Sequence, residues 1–343
     1  MSVSENSRFA ATIVFVSILL ISGISEGGPV DDDVRRAVRT GIDLVGAAQN
    51  DPGLCAITDA GYVYLNGGTT ERFADMIAEE TGCSIGKNNL LFLHRVSDYP
   101  LKIVLFNKNN SLCMVVTCDG ETVEQSEPVS LGFEPLGDTA HWEHVQEVIG
   151  GPDAFSITVV TNAWAGGVPH DFLKCVELHN HICPGITSGY FIARYIGMQY
   201  PRGNGSRMYI SCPPWCKDDA IQTILDLTPG KKHFFVKALS DAQKESLRDD
   251  SAAGIFIIRE NRTGGGKAVV ISYDWDKAAA LSGATGFEGI QQRIKVVTGL
   301  VPYIDKPELL VNVLHEAAVT DEQISRMTEA GINPYEEIRF IKE

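Results

Sequence analysis

The chain has 343 residues, of which 44% are hydrophobic and 21% are charged. This composition is typical of a folded protein with room for two ordinary domains, and it excludes a chain that is disordered throughout. The formal net charge of −15 opposes contact with the phosphate backbone of nucleic acids. The adjacent basic pairs, Arg35–Arg36 and Lys231–Lys232, form no extended basic patch, so we expect no nucleic-acid partner.

Residues 1–28 differ from the rest of the chain. A polar start is followed by an apolar run from Phe9 to Ile24 and then by small and acidic residues. The run is long for the apolar core of a signal peptide and shorter than the ~20 residues of a comfortable transmembrane helix. A cleaved signal peptide and a retained membrane anchor therefore both stay open, with a buried core helix as the third alternative. We expect an exported, extracytoplasmic body.

The first half predicts two helices and a sheet. The helices span 33–48 and 69–82, the second with Thr69 as its N-cap and Gly82 as its stop. Three apolar or alternating segments, 89–94, 101–106 and 112–118, favour an antiparallel meander. A Glu-, Gly- and Pro-rich stretch from 121 to 151 is interpreted as the connection to the second half.

The second half repeats the order of elements. The predicted helices span 171–178, 186–200 and 218–227, and the predicted strands span 207–212, 254–259 and 268–273. Residues 81–92 also resemble residues 225–236, with Gly86 and Lys87 matching Gly230 and Lys231, which favours an internal duplication. In the tail, Thr320 and Gln323 form a capping-box pattern, and we expect residues 303–318 and 320–331 to form a helical hairpin.

These elements predict an α+β fold of two related lobes, each an antiparallel sheet with packed helices, plus a C-terminal helical tail. The predicted boundaries are 1–28 for the leader, 29–165 for the first lobe, 166–300 for the second lobe and 301–343 for the tail. A homodimer is compatible with such a duplicated fold, by analogy alone.

Two short motifs in the second half carry soft and borderline metal ligands. His179, His181 and Cys183 lie in the sequence HNHIC, which is followed by Pro-Gly at the start of a helix. Cys212 and Cys216 flank Pro-Pro-Trp, with Cys216 at the start of the next helix. Imidazole nitrogens and thiolates in such a set favour zinc or another divalent transition metal.

Other interpretations of these residues remain. Eight cysteines in an exported chain allow 105 disulfide pairings, and Cys212 and Cys216 are candidates for one of them. A His–Cys pair acting as base and nucleophile is a further alternative, and no third catalytic partner is evident. Glu177, Asp218 and Asp219 are candidates for supporting a metal ligand or a metal-bound water. The two aspartates also suit a helix N-terminus.

Segments 179–189, 216–222 and 227–231 together resemble the family of the E subunit of formylmethanofuran dehydrogenase, FmdE, over about residues 166 to 285. The resemblance implies an α+β core that binds zinc or a similar metal through the residues at four matching positions. These positions are His179, His181, Cys183 and Cys216. Cys212 goes beyond the family pattern, and the C-terminal zinc ribbon of many relatives is absent because no cysteine follows Cys216.

The resemblance also implies methanogenic archaea and a tungsten or molybdenum enzyme partner in one-carbon metabolism. We therefore predict a transition-metal-binding protein of this family. The alternative is an exported metal-dependent or thiol redox enzyme with its pocket between the two lobes. The sequence identifies no catalytic residue.

Overall fold

The computed structural model describes residues 28–203, 205–260 and 264–342. The predicted leader lies outside these residues, apart from Gly28. Among the described residues, no helix combines the length and the apolar character needed to cross a membrane.

The described residues form twelve α-helices and thirteen β-strands. The helices are α1 (Pro29–Leu44), α2 (Glu71–Thr81), α3 (Thr139–Ile149), α4 (Gly151–Ala165), α5 (His170–His179), α6 (Pro184–Gln199), α7 (Lys217–Leu225), α8 (Asp241–Glu245), α9 (Trp275–Ser282), α10 (Gly289–Leu300), α11 (Asp321–Thr328) and α12 (Pro334–Glu337). The strands are β1 (Leu54–Thr58), β2 (Tyr64–Leu65), β3 (Gly68–Thr69), β4 (Leu90–Phe92), β5 (Leu101–Asn107), β6 (Leu112–Cys118), β7 (Val123–Gln125), β8 (Val129–Ser130), β9 (Ser206–Ser211), β10 (Phe234–Val236), β11 (Ala252–Arg259), β12 (Gly266–Tyr273) and β13 (Val311–Val319).

Most of the strands belong to two sheets with the same order of pairing. The first sheet has the order β4-β1-β5-β6-β7, with β8 also paired to β6, and the second has the order β10-β9-β11-β12-β13. In each sheet the first two strands of the order are parallel and the next pairs are antiparallel. The structure thus confirms the α+β class, with two regions of sheet and helices and a helical C-terminal region.

The predicted meander of the first half is wrong in one pairing. Strand β4 does not lie beside β5 but pairs with β1, in parallel, with Ile57 opposite Leu91. The physical reason is the helix between them: two parallel neighbours need a crossover connection, and α2 supplies it. The same connection, β9-α7-β10, recurs in the second sheet and begins next to Cys216.

The predicted helical hairpin is wrong in its first arm. Residues 311–319 form strand β13, which pairs antiparallel with β12. Its β-branched residues Val311, Val313 and Val319 favour a strand, and the free edge of β12 offers the partner. The capping box of the second arm is confirmed, since the Thr320 side chain accepts a hydrogen bond from the Gln323 amide at the start of α11.

Helices lie against both sheets. Residues of α4, α5, α6, α7 and α10 form one apolar core together with residues of both sheets. The other core of the first sheet contains residues of α1 and α2, and the other core of the second sheet contains residues of α11 and α12. The central helices therefore join the two sheets, and they also carry the candidate ligands.

A buried group of charges fixes α4 to the first sheet. Asp153 of α4 forms ion pairs with Arg95 and with Lys102 of β5. Asp59, which follows β1 and is 3% exposed, accepts the Lys102 backbone N–H at 2.8 Å, while Nε of Arg95 lies 3.9 Å from its carboxylate. Burial is the main cause that raises the pKa of Asp59 to about 6.

Replacing Asp59 by Asn should change how stability depends on pH. Because folding raises the pKa of Asp59, its protonated form favours the folded state, and this contribution is present below about pH 4 and is lost as the pH rises through about 6. The Asn side chain can keep the hydrogen bond from Lys102. We expect the free energy of unfolding of Asp59→Asn, relative to wild type, to rise by up to about 3 kcal/mol between pH 4 and pH 7.

Urea unfolding at both pH values measures this difference. Asp51→Asn, an acidic side chain outside the buried group, is the control and should show no comparable change. A constant difference between Asp59→Asn and wild type at both pH values would contradict the raised pKa.

Candidate metal centre

The end of α5 brings two imidazoles together. His179 is the last residue of the helix, and Asn180 after it adopts a left-handed conformation, with φ of 68°. Asparagine tolerates this conformation better than most residues do, and it turns the chain sharply. The ring of His181 consequently packs on that of His179, with their centroids 4.3 Å apart.

Two cysteines stand at the starts of the next two helices. Cys183 is the N-cap of α6, where Pro184 occupies the first helical position that tolerates a missing N–H. Cys216 immediately precedes α7. Cys183 is 8% exposed, and burial is the main cause that raises the pKa of its thiol to about 11, against the opposing effect of nearby backbone N–H groups.

Glycines let the two helices approach closely enough for these thiols to meet. A Cβ atom on Gly189 of α6 would lie 2.1 Å from the backbone oxygen of Lys217, so the backbones themselves are in contact. A Cβ atom on Gly185 would lie 2.8 Å from Cβ of Cys216 and 3.5 Å from each of the sulfurs of Cys183 and Cys216. The crossing of α6 and α7 therefore depends on the absence of these side chains.

The four ligand atoms of His179, His181, Cys183 and Cys216 all lie within 4.8 Å of one another. In a tetrahedral zinc site, metal–ligand bonds of about 2.0–2.3 Å place the ligand atoms roughly 3.3–3.8 Å apart. Small rotations of the side chains therefore suffice to surround one ion. The donors also match in chemistry, because two imidazole nitrogens and two thiolates are a set that zinc binds.

Hydrogen bonding selects the free nitrogen of His179. Its Nδ1 lies 2.6 Å from an Oδ2 atom of Asp219, so Nδ1 carries the proton and Nε2 faces Cys183 Sγ at 3.9 Å. This carboxylate–histidine contact is the kind that orients metal-binding imidazoles. Burial, with smaller effects of His179 and Arg293, lowers the pKa of His181 to about 4, so its imidazole is neutral at pH 7 and able to bind a metal ion.

A buried lysine anchors the turn before Cys216. Lys217 is fully buried, and its Nζ donates hydrogen bonds to Ser211 Oγ, to the Pro213 carbonyl and to Asp218 Oδ1 at 2.7–2.8 Å. The ammonium group also lies 4.3 Å from the ring centroid of Trp215. All three N–H groups of the ammonium are thereby used, which offsets much of the cost of burying the charge. Sequence reasoning missed Lys217, because nothing in its neighbourhood in the chain signals burial.

Cys212 lies elsewhere. It is fully buried in the apolar core that α11 and α12 share with the second sheet, and its carbonyl accepts a hydrogen bond from Tyr335. The cluster of four does not include it. Burial raises the pKa of the Cys212 thiol to about 12, and both Cys212 and Cys216 are free thiols in this structure.

Glu177, a candidate from the sequence, and His170 at the start of α5 have contacts outside the cluster. Glu177 accepts a hydrogen bond from Tyr62, which lies between β1 and β2, at 2.7 Å and pairs with Lys174. His170 contacts the side chain of Asn88 at 2.9 Å. Neither residue belongs to the cluster of four, and their contacts with Tyr62 and Asn88 tie α5 to the region of the first sheet.

Fold and site together define an α+β protein with a candidate transition-metal centre of two histidines and two cysteines. The model of the FmdE family, described as "Molybdenum formylmethanofuran dehydrogenase operon", matches residues 178–287. The resemblance to the FmdE family is thus confirmed for this segment, which contains all four residues of the cluster. No curated protein matches the chain.

Gly185→Ala should weaken metal binding without unfolding the protein. The added methyl group would lie 2.8 Å from Cβ of Cys216, closer than two carbon atoms pack, and would displace that side chain from its position beside Cys183. We expect the affinity for zinc to fall at least about tenfold, as for loss of an interaction that orients ligands. Competition with a chromophoric chelator measures it.

Gly197→Ala is the matched control, because it lies on the same helix and a Cβ atom there would meet nothing within 4 Å. Equal affinities of the two variants would contradict the steric role of Gly185.

Proposed function

We propose that this chain binds one zinc ion through His179, His181, Cys183 and Cys216. The observation that carries the proposal is the convergence of the four ligand atoms. The match to the FmdE family over the same residues supports it. Zinc is favoured over harder cations because two of the four ligands are sulfur atoms.

With all four ligands bound, the centre would be saturated by the protein. Four protein ligands are typical of structural zinc sites, whereas catalytic sites keep a position for water or substrate. Zinc would then cross-link α5, α6 and α7 at the point where they meet. The alternative of a thiol redox enzyme has less support, because the raised pKa of Cys183 disfavours the reactive thiolate in the absence of a metal.

The zinc content of the purified full chain tests the proposal. We expect about one zinc ion per chain in the wild type, and loss of that ion in His181→Ala and in Cys216→Ser after dialysis against a chelator. Elemental analysis gives the zinc content per chain, and thiol counting gives the number of free cysteines. Cys212→Ala is the control, because Cys212 is the other cysteine between β9 and α7 and lies outside the cluster, and this variant should keep its zinc. A wild-type chain without metal after growth with added zinc would sink the proposal.

Metal uptake should release protons. Because the pKa of Cys183 lies at about 11, its thiol is protonated at pH 7 and must lose that proton to bind zinc, while His181 is already neutral. We expect at least one proton released per zinc ion and an affinity that rises with pH. Calorimetric titration in two buffers of different ionisation enthalpy counts the protons. A count of zero would mean that the thiolate exists before the metal arrives.

We further propose an accessory role beside a molybdenum or tungsten enzyme of one-carbon metabolism. The description of the matching family, which names the operon of molybdenum formylmethanofuran dehydrogenase, supports this link. Deletion of the gene for this chain should then lower formylmethanofuran dehydrogenase activity in extracts of its own cells. Unchanged activity would oppose the link and would leave the zinc site untouched.

We also propose that the two sheet regions arose by duplication. Support comes from the shared strand order and from the connection after α2 and after α7. In both connections a residue in the left-handed conformation ends the helix. The side chain of Ser84 then accepts the backbone N–H of Lys87 after α2, as the side chain of Thr228 accepts that of Lys231 after α7. A strand that is parallel to its neighbour follows in each case.

Under this duplication the first lobe has an ion pair at the position of the metal cluster. Gly28 precedes Pro29 at the start of α1 as Cys183 precedes Pro184, and Arg72 takes the place of Cys216 by its distance from the shared turn. Arg72 instead pairs with Asp31 of α1 at 2.8 Å. Related chains with cysteines at both first-lobe positions would support the duplication, and unrelated residues in every relative would oppose it.

A further inference from the structure

A basic cavity opens beside the turn that connects α7 to β10. Its volume of about 350 Å³ lies within the range of roughly 300–1,000 Å³ that is typical of small-molecule pockets. The walls come from the segment that leads into β9, from the end of α7 and from the turn itself. The polar residues of the lining are Arg202, Ser206, Arg207, Asp226, Lys231 and His233. Among the described residues that line it, none belongs to the cluster of four.

The parallel pairing of β9 with β10 brings the basic side chains together. The backbone N–H of Tyr209 donates to the His233 carbonyl at 2.9 Å, so the turn before β10 lies beside the first residues of β9. Arg207 belongs to that beginning of β9. Within the turn, the Thr228 side chain accepts the backbone N–H of Lys231 at 3.4 Å, which fixes the backbone from which the Lys231 side chain extends. Segments that are distant in the chain thus supply cations to one cavity.

The cavity carries more positive charge than its own side chains neutralise. Lys231 forms an ion pair with Asp226, which is the one acidic residue among the described residues of the lining. In the part of the chain that the structure describes, Arg202 and Arg207 form no ion pair, and Arg207 donates to the Tyr200 carbonyl. Burial, followed by the charge of Arg202, lowers the pKa of Arg207, so the two guanidinium groups are close enough to repel each other. Two positive charges therefore stay uncompensated by the lining.

A similar cavity in the region of the first sheet shows the same turn without the arginines. It has a volume of about 330 Å³ and lies at the turn after α2, where Lys87 has the position that Lys231 has after α7. The Lys87 ammonium is engaged within the protein, because it donates to the Gly82 carbonyl at 2.7 Å and to Asn50 Oδ1 at 3.3 Å. No arginine is found among the described residues of this second lining. The turn alone thus explains a lysine at a helix end, but it does not explain the two arginines.

We propose that the basic cavity binds the phosphoryl group of a small-molecule ligand through Arg202, Arg207 and Lys231. Guanidinium groups present paired N–H donors that match phosphate oxygens, and the lysine adds a point charge. A phosphoryl dianion neutralises the two uncompensated charges, whereas a single carboxylate neutralises one. The net charge of −15 on the whole chain repels polyanions, which favours a small ligand over a nucleic acid. The site does not depend on the proposed zinc centre.

A purely structural role of the cations is the competing explanation. The last carbonyl groups of a helix attract positive charge, and α7 ends at this cavity. Lys87 illustrates such a role at the end of α2, through its hydrogen bond to Gly82. If the cations of the basic cavity only stabilise the end of α7, their loss should lower the thermal stability, and the wild-type chain should have no specific affinity for phosphate.

Titration of the full chain with inorganic phosphate at constant ionic strength, followed by ³¹P line broadening, tests the proposal. We expect saturable binding in the wild type and an affinity at least about tenfold lower in Arg202→Met and in Lys231→Met, because each variant loses a hydrogen bond to a charged group. Arg202→Lys should recover part of the affinity. Lys87→Met is the matched control, since it removes the corresponding lysine of the other cavity, and it should bind phosphate as the wild type does.

Three results would overturn the proposal. These are a wild-type chain that does not bind phosphate, equal affinities in Lys231→Met and Lys87→Met, and displacement of the bound phosphate by an equal concentration of acetate. Both Arg202 and Lys231 are exposed, so their replacement should leave the fold intact, which thermal unfolding of each variant checks. Zinc content enters none of these results, so a failure of phosphate binding and a failure of the zinc centre are observed separately.

Discussion

The contact between the backbones of α6 and α7 at Gly189 is the constraint on which the candidate centre depends. Each of these helices begins beside a cysteine, so the distance between the two thiols is set by how closely the helices cross. Any side chain at this crossing would strike the carbonyl of Lys217. The fully buried ammonium of Lys217 then holds the turn before α7 in place, so backbone packing and a satisfied buried charge act on the same few residues.

Burial has opposite effects on the two kinds of ligand. It favours neutral forms, so His181 could bind a metal ion without losing a proton, whereas the thiol of Cys183 stays protonated in the absence of a metal. Without a metal ion, the side chains of His181 and Cys183 are therefore both uncharged. A transition-metal cation held by these residues would favour loss of the thiol proton, and the strength of the metal–thiolate bond would then decide which metal binds.

The cluster of four was predictable from the sequence because its residues lie in short segments at helix ends. Pro184 marks the start of α6, so the positions of its neighbours relative to that helix can be predicted from the sequence. Cys212 illustrates the limit: it is four residues from Cys216, but the turn between them sends its side chain into a different core. Which side of a strand a residue faces depends on the sheet, and the sequence near Cys212 carries no period that decides it.

Long-range pairing explains the remaining differences. The segment 89–94 has the local pattern of an ordinary strand, and residues 311–319 lie largely within a stretch predicted to be helical. Each segment is nevertheless defined as a strand by a partner far away in the chain, β1 for the first and β12 for the second. The contact of Arg293 with the ring of Phe155 likewise joins residues that lie far apart in the chain. Such contacts are properties of the assembled core.

Strand β13 also sets the size of the piece of chain that can stand alone. The family match ends at residue 287, before β13 begins, while β12 is strongly apolar and its outer edge is covered by β13. A fragment trimmed to the matched residues would present that edge unpaired, and uncovered apolar edges recruit strands from other molecules. The segment that matches the family is thus shorter than the segment needed to keep the edge of β12 paired and to limit aggregation.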